Sequence, residues 1–103
     1  MPEMPDTSNF HSALHTTLSR EQVAGLYGML GWKVRKCTWT EYEVFGPWCE
    51  LVIEAESPIL MHGPVADVLV HAKELLAPLR TAGVSFTAEC YGADGELLRE
   101  YHG

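Results

Sequence analysis

One stretch, residues 39–55, constrains the fold more than any other part of the chain. It alternates polar with β-prone apolar residues on both sides of Gly46-Pro47, and this pattern predicts a β-hairpin. A two-residue turn at Gly46-Pro47 places Phe45 opposite Trp48 and sorts the side chains into two faces. The face predicted to join the core carries Tyr42, Val44, Cys49, Leu51, Ile53 and Ala55.

The second face of this predicted hairpin combines aromatic side chains with carboxylates. Its candidate partner-binding residues are Trp39, Glu41, Glu43, Phe45, Trp48 and Glu50. Exposed aromatic clusters mark interaction sites, so we predict that this face binds a protein partner or a second copy in a homodimer. In this register Glu43 also lies opposite Glu50, and a basic partner would relieve the repulsion. The alternatives are a different register or a bulge in the hairpin, or an N-terminal segment that covers the rings.

Composition narrows the function classes. The chain has 103 residues and a net charge of −7, which argues against nucleic-acid or anionic-membrane binding. No apolar run approaches the roughly 18 residues of a membrane span, and the first residues do not resemble a signal peptide. We therefore expect a cytoplasmic protein. Three cysteines without a CxxC pair predict neither a disulfide framework nor a zinc site, and we expect no metal and no cofactor.

Two helices are predicted. The first runs from Arg20 to about Leu30, because Ser19 and Gln22 have the spacing of a capping box. The second begins at Gly63-Pro64 and ends at Gly83, with a kink at Pro78. Its apolar stripe, at helical spacing, consists of Val65, Val68, Leu69, Ala72, Leu75, Leu76 and Leu79.

Residues 19–28 resemble the opening helix of many helix-turn-helix DNA-binding domains. The resemblance ends there, because residues 32–39 predict a strand where that family has its recognition helix. Lys33, Arg35 and Lys36 form the only basic cluster in an acidic chain. We therefore predict no nucleic-acid binding.

The two ends of the chain complete the prediction. Residues 84–91 and 96–101 predict a second hairpin around Asp94-Gly95, in which a bulge at Gly95 pairs Glu89 with Arg99 and a plain turn pairs Cys90 with Leu97. We prefer the bulge, for its opposite charges. Residues 1–18 are predicted to be a flexible or strap-like segment, and residues 19–103 a single domain. His11 and His15 have helical metal-site spacing, but no third ligand accompanies them.

These elements add up to an α+β fold, a two-layer sandwich with four or five antiparallel strands and two helices on one face. The order and acidity are similar in outline to toxin-immunity proteins and acidic secretion chaperones. We predict a small acidic binding protein without catalytic activity. The alternative is a small enzyme or ligand-binding domain with a pocket between the second helix and the sheet, lined by His62, His71 and Cys90.

Overall fold

A seven-stranded antiparallel sheet forms the framework of the chain in the computed structural model, which describes residues 8–103. The strand order is β2-β3-β4-β5-β1-β6-β7. The elements are β1 (Phe10–His15), α1 (Arg20–Gly28), β2 (Lys33–Lys36), β3 (Tyr42–Gly46), β4 (Cys49–Glu54), β5 (Ile59–Gly63), α2 (Val68–Thr81), β6 (Ser85–Tyr91) and β7 (Leu97–His102). The predicted α+β class is confirmed, but the sheet has seven strands rather than four or five.

The segment predicted to be flexible or strap-like contributes a central strand. β1 lies between β5 and β6, with Phe10 and Leu14 fully buried. Because Ser12 between them is polar, hydrophobicity alone does not reveal the alternating pattern of this strand. Its hydroxyl donates a 2.7 Å hydrogen bond to the carbonyl of Met61, which allows a polar side chain to face the core. Residues 1–7 of the predicted segment lie outside the described residues.

β5 also differs from expectation. No strand is predicted for residues 59–63, but they pair with both β4 and β1. α2 then begins at Val68 rather than at Pro64. The reason is that the backbone of residues 64–66 bonds instead to the β3–β4 turn and the start of β4: Glu50 N–H donates to the Pro64 carbonyl at 3.1 Å, and Ala66 N–H donates to the Trp48 carbonyl at 2.8 Å.

Both helices pack on the same face of the sheet. The capping box of α1 is confirmed, since Gln22 N–H donates to the Ser19 hydroxyl and Ser19 N–H donates to the Gln22 side chain. Val23 and Tyr27 of α1 are buried. Every residue of the apolar stripe predicted for the second helix is buried except Leu69, although Val65 precedes α2. Pro78 lies inside α2, which continues to Thr81. Neither helix of the described residues has the length and apolar character needed to cross a membrane.

The β3–β4 hairpin has a different register from the predicted one. Gly46 pairs with Cys49, so Pro47 and Trp48 form the turn. Proline is favoured at the first central position of a turn and disfavoured at the second of a type I turn, which explains the shift. The predicted core residues Val44, Cys49, Leu51 and Ile53 are buried and Tyr42 is half-buried, whereas Ala55 is exposed. The predicted pairing of Glu43 with Glu50 is wrong: these residues lie opposite Val52 and Phe45.

The β6–β7 hairpin contains a bulge, located between Cys90 and Tyr91. Glu89 lies opposite Glu100 rather than Arg99, which pairs with Cys90. The expected opposite-charge pair is therefore absent, and two carboxylates face each other across these strands. The core face of β6 is confirmed, since its alternate side chains Val84, Phe86, Ala88 and Cys90 are buried.

Candidate functional site

The helices cover one face of the sheet, and the opposite face is the candidate functional surface. No helix among residues 8–103 packs on this opposite face, which we call the open face. Side-chain alternation and strand register define it. Its residues are Lys33 and Arg35 on β2, Glu43 and Phe45 on β3, Glu50, Val52 and Glu54 on β4, Leu60 and His62 on β5, His11, Ala13 and His15 on β1, Ser85, Thr87, Glu89 and Tyr91 on β6, and Glu100 and His102 on β7.

The charges of the open face are segregated. From β3 through β7 it carries no Lys or Arg. The carboxylates of these strands are Glu43, Glu50, Glu54, Glu89 and Glu100. Its two cations, Lys33 and Arg35, both lie on β2 at the edge of the sheet. The open face away from β2 is therefore anionic.

The centre of the open face brings histidines and carboxylates together. Nε2 of His62 lies 2.9 Å from a carboxylate oxygen of Glu54. The ring of His62 stacks on that of His11, with the ring centroids 5.9 Å apart and the planes inclined by 15°. Beside this pair is a shallow cleft of about 160 Å³, bordered by Leu60 and Glu89 among others.

Tyr91 connects His11 to the carboxylate on β6. Its ring meets that of His11 edge-on at 5.5 Å, and its hydroxyl donates a 3.0 Å hydrogen bond to Glu89. That hydrogen bond raises the pKa of Tyr91, because the bond favours the protonated phenol. The hydroxyl is therefore a stable donor at neutral pH, and it holds the Glu89 carboxylate in place at the centre of the open face.

The end of the open face near β2 contains a charged cluster. The Arg35 guanidinium donates to Oε1 of Glu43 at 2.9 Å, and the Cys37 thiol donates to the same oxygen at 2.6 Å. The bonds from Cys37 and Arg35 lower the pKa of Glu43, and the bond to Glu43 raises the pKa of Cys37. Arg35 also lies 5.9 Å from the centre of the Phe45 ring. Glu43 is thus already neutralised by a neighbour.

The structure separates the six predicted partner-binding residues. Glu43, Phe45 and Glu50 lie on the open face as expected. Trp39 and Glu41 lie in the loop between β2 and β3, where Trp39 is 91% exposed and Glu41 is half-buried. Trp48 is only 8% exposed and belongs to the core. The three large aromatic rings therefore do not form one exposed cluster.

Trp48 instead anchors the helix layer. It stacks on His71 of α2, with the centroids 4.2 Å apart and the planes 5° from parallel. Trp32 meets it edge-on at 5.3 Å. Nδ1 of His71 donates to the Ala66 carbonyl at 2.6 Å, which fixes the orientation of the imidazole. Strand alternation did not apply to Trp48, because this residue lies in the turn.

The alternative pocket does not form from the residues predicted for it. His62 lies on the open face, His71 lies on the helix side against Trp48, and Cys90 is fully buried in the core. Burial raises the pKa of the Cys90 thiol, which disfavours the reactive thiolate. Of the three, only His62 faces the surface that is left uncovered by the helices.

Sequence reasoning missed several residues at the centre of the open face, namely His11, Glu89 and Tyr91. The prediction for His11 and His15 rests on helical spacing, although residues four apart also share a face of a strand. The missing signal was the Phe10-Ser12-Leu14 alternation, which identifies β1 once Ser12 is accepted as a core residue. The proximity of β1 to β5 and β6 has no local signal in the sequence.

The open face has no arrangement suited to a metal ion: within residues 8–103, no three His, Cys, Asp or Glu side chains are placed to bind one. Its chemistry is that of an acidic surface with apolar side chains among the charges. Comparisons with protein-family models, with curated proteins and with solved structures found no match for the chain.

Proposed function

We propose that this chain is a non-catalytic binding protein whose open face binds a basic segment of a protein partner. One observation carries the proposal: from β3 through β7 this face has no Lys or Arg and five carboxylates, of which Glu43 is paired with Arg35 of β2. A face with charges of one sign attracts partners of the opposite sign and speeds their encounter.

Two of these carboxylates are placed where a cation would stabilise them. Glu89 and Glu100 lie directly opposite each other on β6 and β7, where like charges repel. A lysine or arginine between them would replace this repulsion with two attractive contacts. Glu50 is exposed and lies opposite the Phe45 ring, over which a guanidinium could stack.

Apolar side chains between the charges would provide the remaining contact area. Val52 is half-buried, Leu60 is 38% exposed, and Ala13 lies next to Leu60 in the register. Interfaces commonly combine such apolar patches with a charged rim. The composition of the open face therefore fits a basic segment that also carries apolar residues.

The same charges disfavour a homodimer formed through this face. Two copies packed face to face across β4, β5, β1 and β6 would bring two identical sets of carboxylates together, because Lys33 and Arg35 lie on β2 at the edge of the sheet. Burying unpaired charges costs several kcal/mol per ion. We therefore favour a different protein as the partner over a second copy.

The test uses arrayed ten-residue peptides rich in Lys, Arg and apolar residues, followed by affinity measurements on the peptides that bind. The double variant Glu50→Lys/Glu89→Lys should bind them about ten-fold more weakly or not at all, because two attractive contacts become repulsive. The control Glu21→Lys/Glu74→Lys makes the same charge change on exposed positions of the two helices and should bind as the wild type does.

Amide shifts of the wild-type protein locate the bound peptide. We expect perturbations on β4, β5, β1 and β6. Equal affinities for the two double variants, or perturbations confined to α1 and α2, would contradict the proposal. Both double variants should fold, because all four positions are at least partly exposed and Glu89→Lys removes a like-charge pair.

A second candidate function, acid–base catalysis on a small molecule, is favoured by the His62–Glu54 pair. A carboxylate bonded to an imidazole is a common arrangement for a general base. A compound that raises the melting temperature of the wild type but not of His62→Ala, and that the protein converts to a product, would favour this function. Retained peptide binding by His62→Ala, with no turnover in the wild type, would favour the binding function.

A further inference from the structure

We propose that the outer edge of β2 is a second interaction surface, which binds an extended acidic segment of a partner protein by strand addition. This surface adjoins the open face at β2, and its charge is opposite to that of the open face from β3 through β7. β2 is the outermost strand on its side of the sheet, and all four of its residues are exposed. Within residues 8–103, no strand pairs with its outer edge.

The backbone of β2 leaves groups available for a new strand. Cys37 N–H donates to the Glu41 carbonyl at 3.0 Å, so Cys37 and Glu41 form a hydrogen-bonded pair. Hydrogen-bonded and non-hydrogen-bonded pairs alternate along an antiparallel ladder. Arg35 and Lys33 therefore direct their backbone groups toward β3, whereas those of Val34 and Lys36 point outward. An incoming strand would bond to these two residues.

The charges of β2 determine the chemistry of that strand. Three of the seven Lys and Arg residues of the chain lie on this four-residue element, although the net charge is −7. Lys33 and Arg35 project on the open-face side, and Glu43 already forms a 2.9 Å ion pair with Arg35 from β3. A new strand would occupy the equivalent position on the other side of Arg35. Carboxylates at every second residue of that strand would face these two cations.

The other side of β2 favours apolar residues in the partner. Val34 pairs with the buried Val44 and so points toward the helix layer, yet 39% of it remains exposed. Trp39, in the loop that follows β2, is 91% exposed, and the ammonium of Lys36 lies 5.4 Å from the centre of its ring. The matching segment thus alternates acidic and apolar residues.

A second copy of the chain fits this edge poorly. Two β2 strands paired with each other would place lysines and arginines opposite one another, which is unfavourable. Charged residues also protect sheet edges from unwanted pairing. That protective effect alone predicts no affinity for an acidic strand, so a binding measurement distinguishes the two roles of β2.

The probe is a fluorescent eight-residue peptide of alternating valine and glutamate, titrated into the full chain at low salt and followed by anisotropy. A control peptide of the same composition, with four glutamates followed by four valines, places its carboxylates on both sides of a strand rather than all on one. We expect the alternating peptide to bind more tightly and to slow the hydrogen exchange of the Val34 and Lys36 amides.

Matched protein variants complete the test. Lys33→Glu should weaken binding of the alternating peptide about five-fold, since one attractive pair becomes repulsive. Lys73→Glu, which makes the same charge change on an exposed position of α2, should bind as the wild type does. No detectable binding at millimolar peptide, equal binding of the two peptides, or equal loss in the two variants would overturn the proposal. This test is independent of the one proposed for the open face, because the peptides tested there are basic and the peptide tested here is acidic.

Discussion

At the scale of single residues, the three cysteines show how environment determines the reactivity of one side-chain type. Cys49 and Cys90 are fully buried, and burial raises the pKa of both thiols, to about 12 for Cys49. Cys37 is half-buried, and its hydrogen bond to Glu43 also raises its pKa. The thiolate is the reactive form, so all three cysteines should react slowly, each for its own reason.

Cys37 is the cysteine expected to react with a thiol reagent in the folded protein. We predict that a disulfide reagent at pH 7.5 modifies only one cysteine, at a rate several-fold below that of an unfolded control peptide. Glu43→Gln should accelerate the reaction, because it removes the negative charge that disfavours the thiolate. Glu50→Gln, a matched change on the neighbouring strand, should leave the rate unchanged. Acceleration by both variants to the same extent would contradict the role assigned to the Glu43 contact.

The buried Cys49 predicts a loss of stability at alkaline pH. Burial raises the pKa of Cys49 in the folded state to about 12, whereas the pKa of a cysteine in an unfolded chain is about 8.5. The contribution of Cys49 to the free energy of unfolding is therefore complete below the pKa of the unfolded state. It decreases as the pH rises from about 8.5 toward about 12. Burial also raises the pKa of Tyr27, which acts in the same direction at higher pH.

Urea unfolding at pH 7.5 and pH 10.5 measures this effect. The free energy of unfolding of the wild type should fall from pH 7.5 to pH 10.5, and that of Cys49→Ala should fall less. The variant is expected to be less stable than the wild type at pH 7.5, because the substitution leaves a cavity. Cys37→Ala serves as the comparison at a half-buried cysteine outside the core and should keep most of the pH dependence. An identical pH dependence for the wild type and Cys49→Ala would refute this account.

At the scale of elements, β1 is the strand on which the sheet depends most. It has neighbours on both sides, with five register pairs to β5 and six to β6. Without it, β5 and β6 would lack their shared partner and the sheet would divide into two parts. Removal of the first 17 residues should therefore unfold the protein rather than uncover a binding face.

Single substitutions in β1 test this with less disruption. Phe10→Ala should lower the free energy of unfolding by about 3–5 kcal/mol, because Phe10 is fully buried. His15→Ala is the matched control on the same strand, and its exposed side chain predicts a change within about 0.5 kcal/mol. Chemical denaturation monitored by tryptophan fluorescence measures both. Similar small losses in both variants would mean that β1 contributes little to the core.

At the scale of the whole molecule, the distribution of charge separates two surfaces. The open face from β3 to β7 is anionic, whereas β2 at the edge of the sheet is cationic. Neither surface is complementary to a second copy of itself. This distribution supports the proposals that the two surfaces bind other proteins of opposite charge.

This arrangement predicts a monomer in solution. Light scattering at two concentrations and low ionic strength should give the mass of a single chain, 11.5 kDa, at both. Low salt is the appropriate condition because it leaves the repulsion between like charges unscreened. A mass of twice this value that is stable to dilution would show that the protein self-associates in spite of its charges, and would argue against a different protein as the occupant of the open face.

Local patterns in the sequence determined much of this protein. The capping box at Ser19 located α1, the apolar stripe located α2, and alternation identified the core faces of β3, β4 and β6. These features depend on near neighbours in the chain, so a short window contains the information. The α+β class and one helix-free sheet face followed from them.

Only the tertiary structure decided where those elements meet. Ser12 is buried because Met61, far away in sequence, accepts its hydrogen bond, and Trp48 is buried because His71 of α2 stacks on it. Neither contact has a signature near the residue that it determines. The pairing of β1 with β5 and β6 likewise brings His11 to His62 and Glu89. The candidate site is thus formed by strand order, a property of long-range pairing that periodicity alone does not encode.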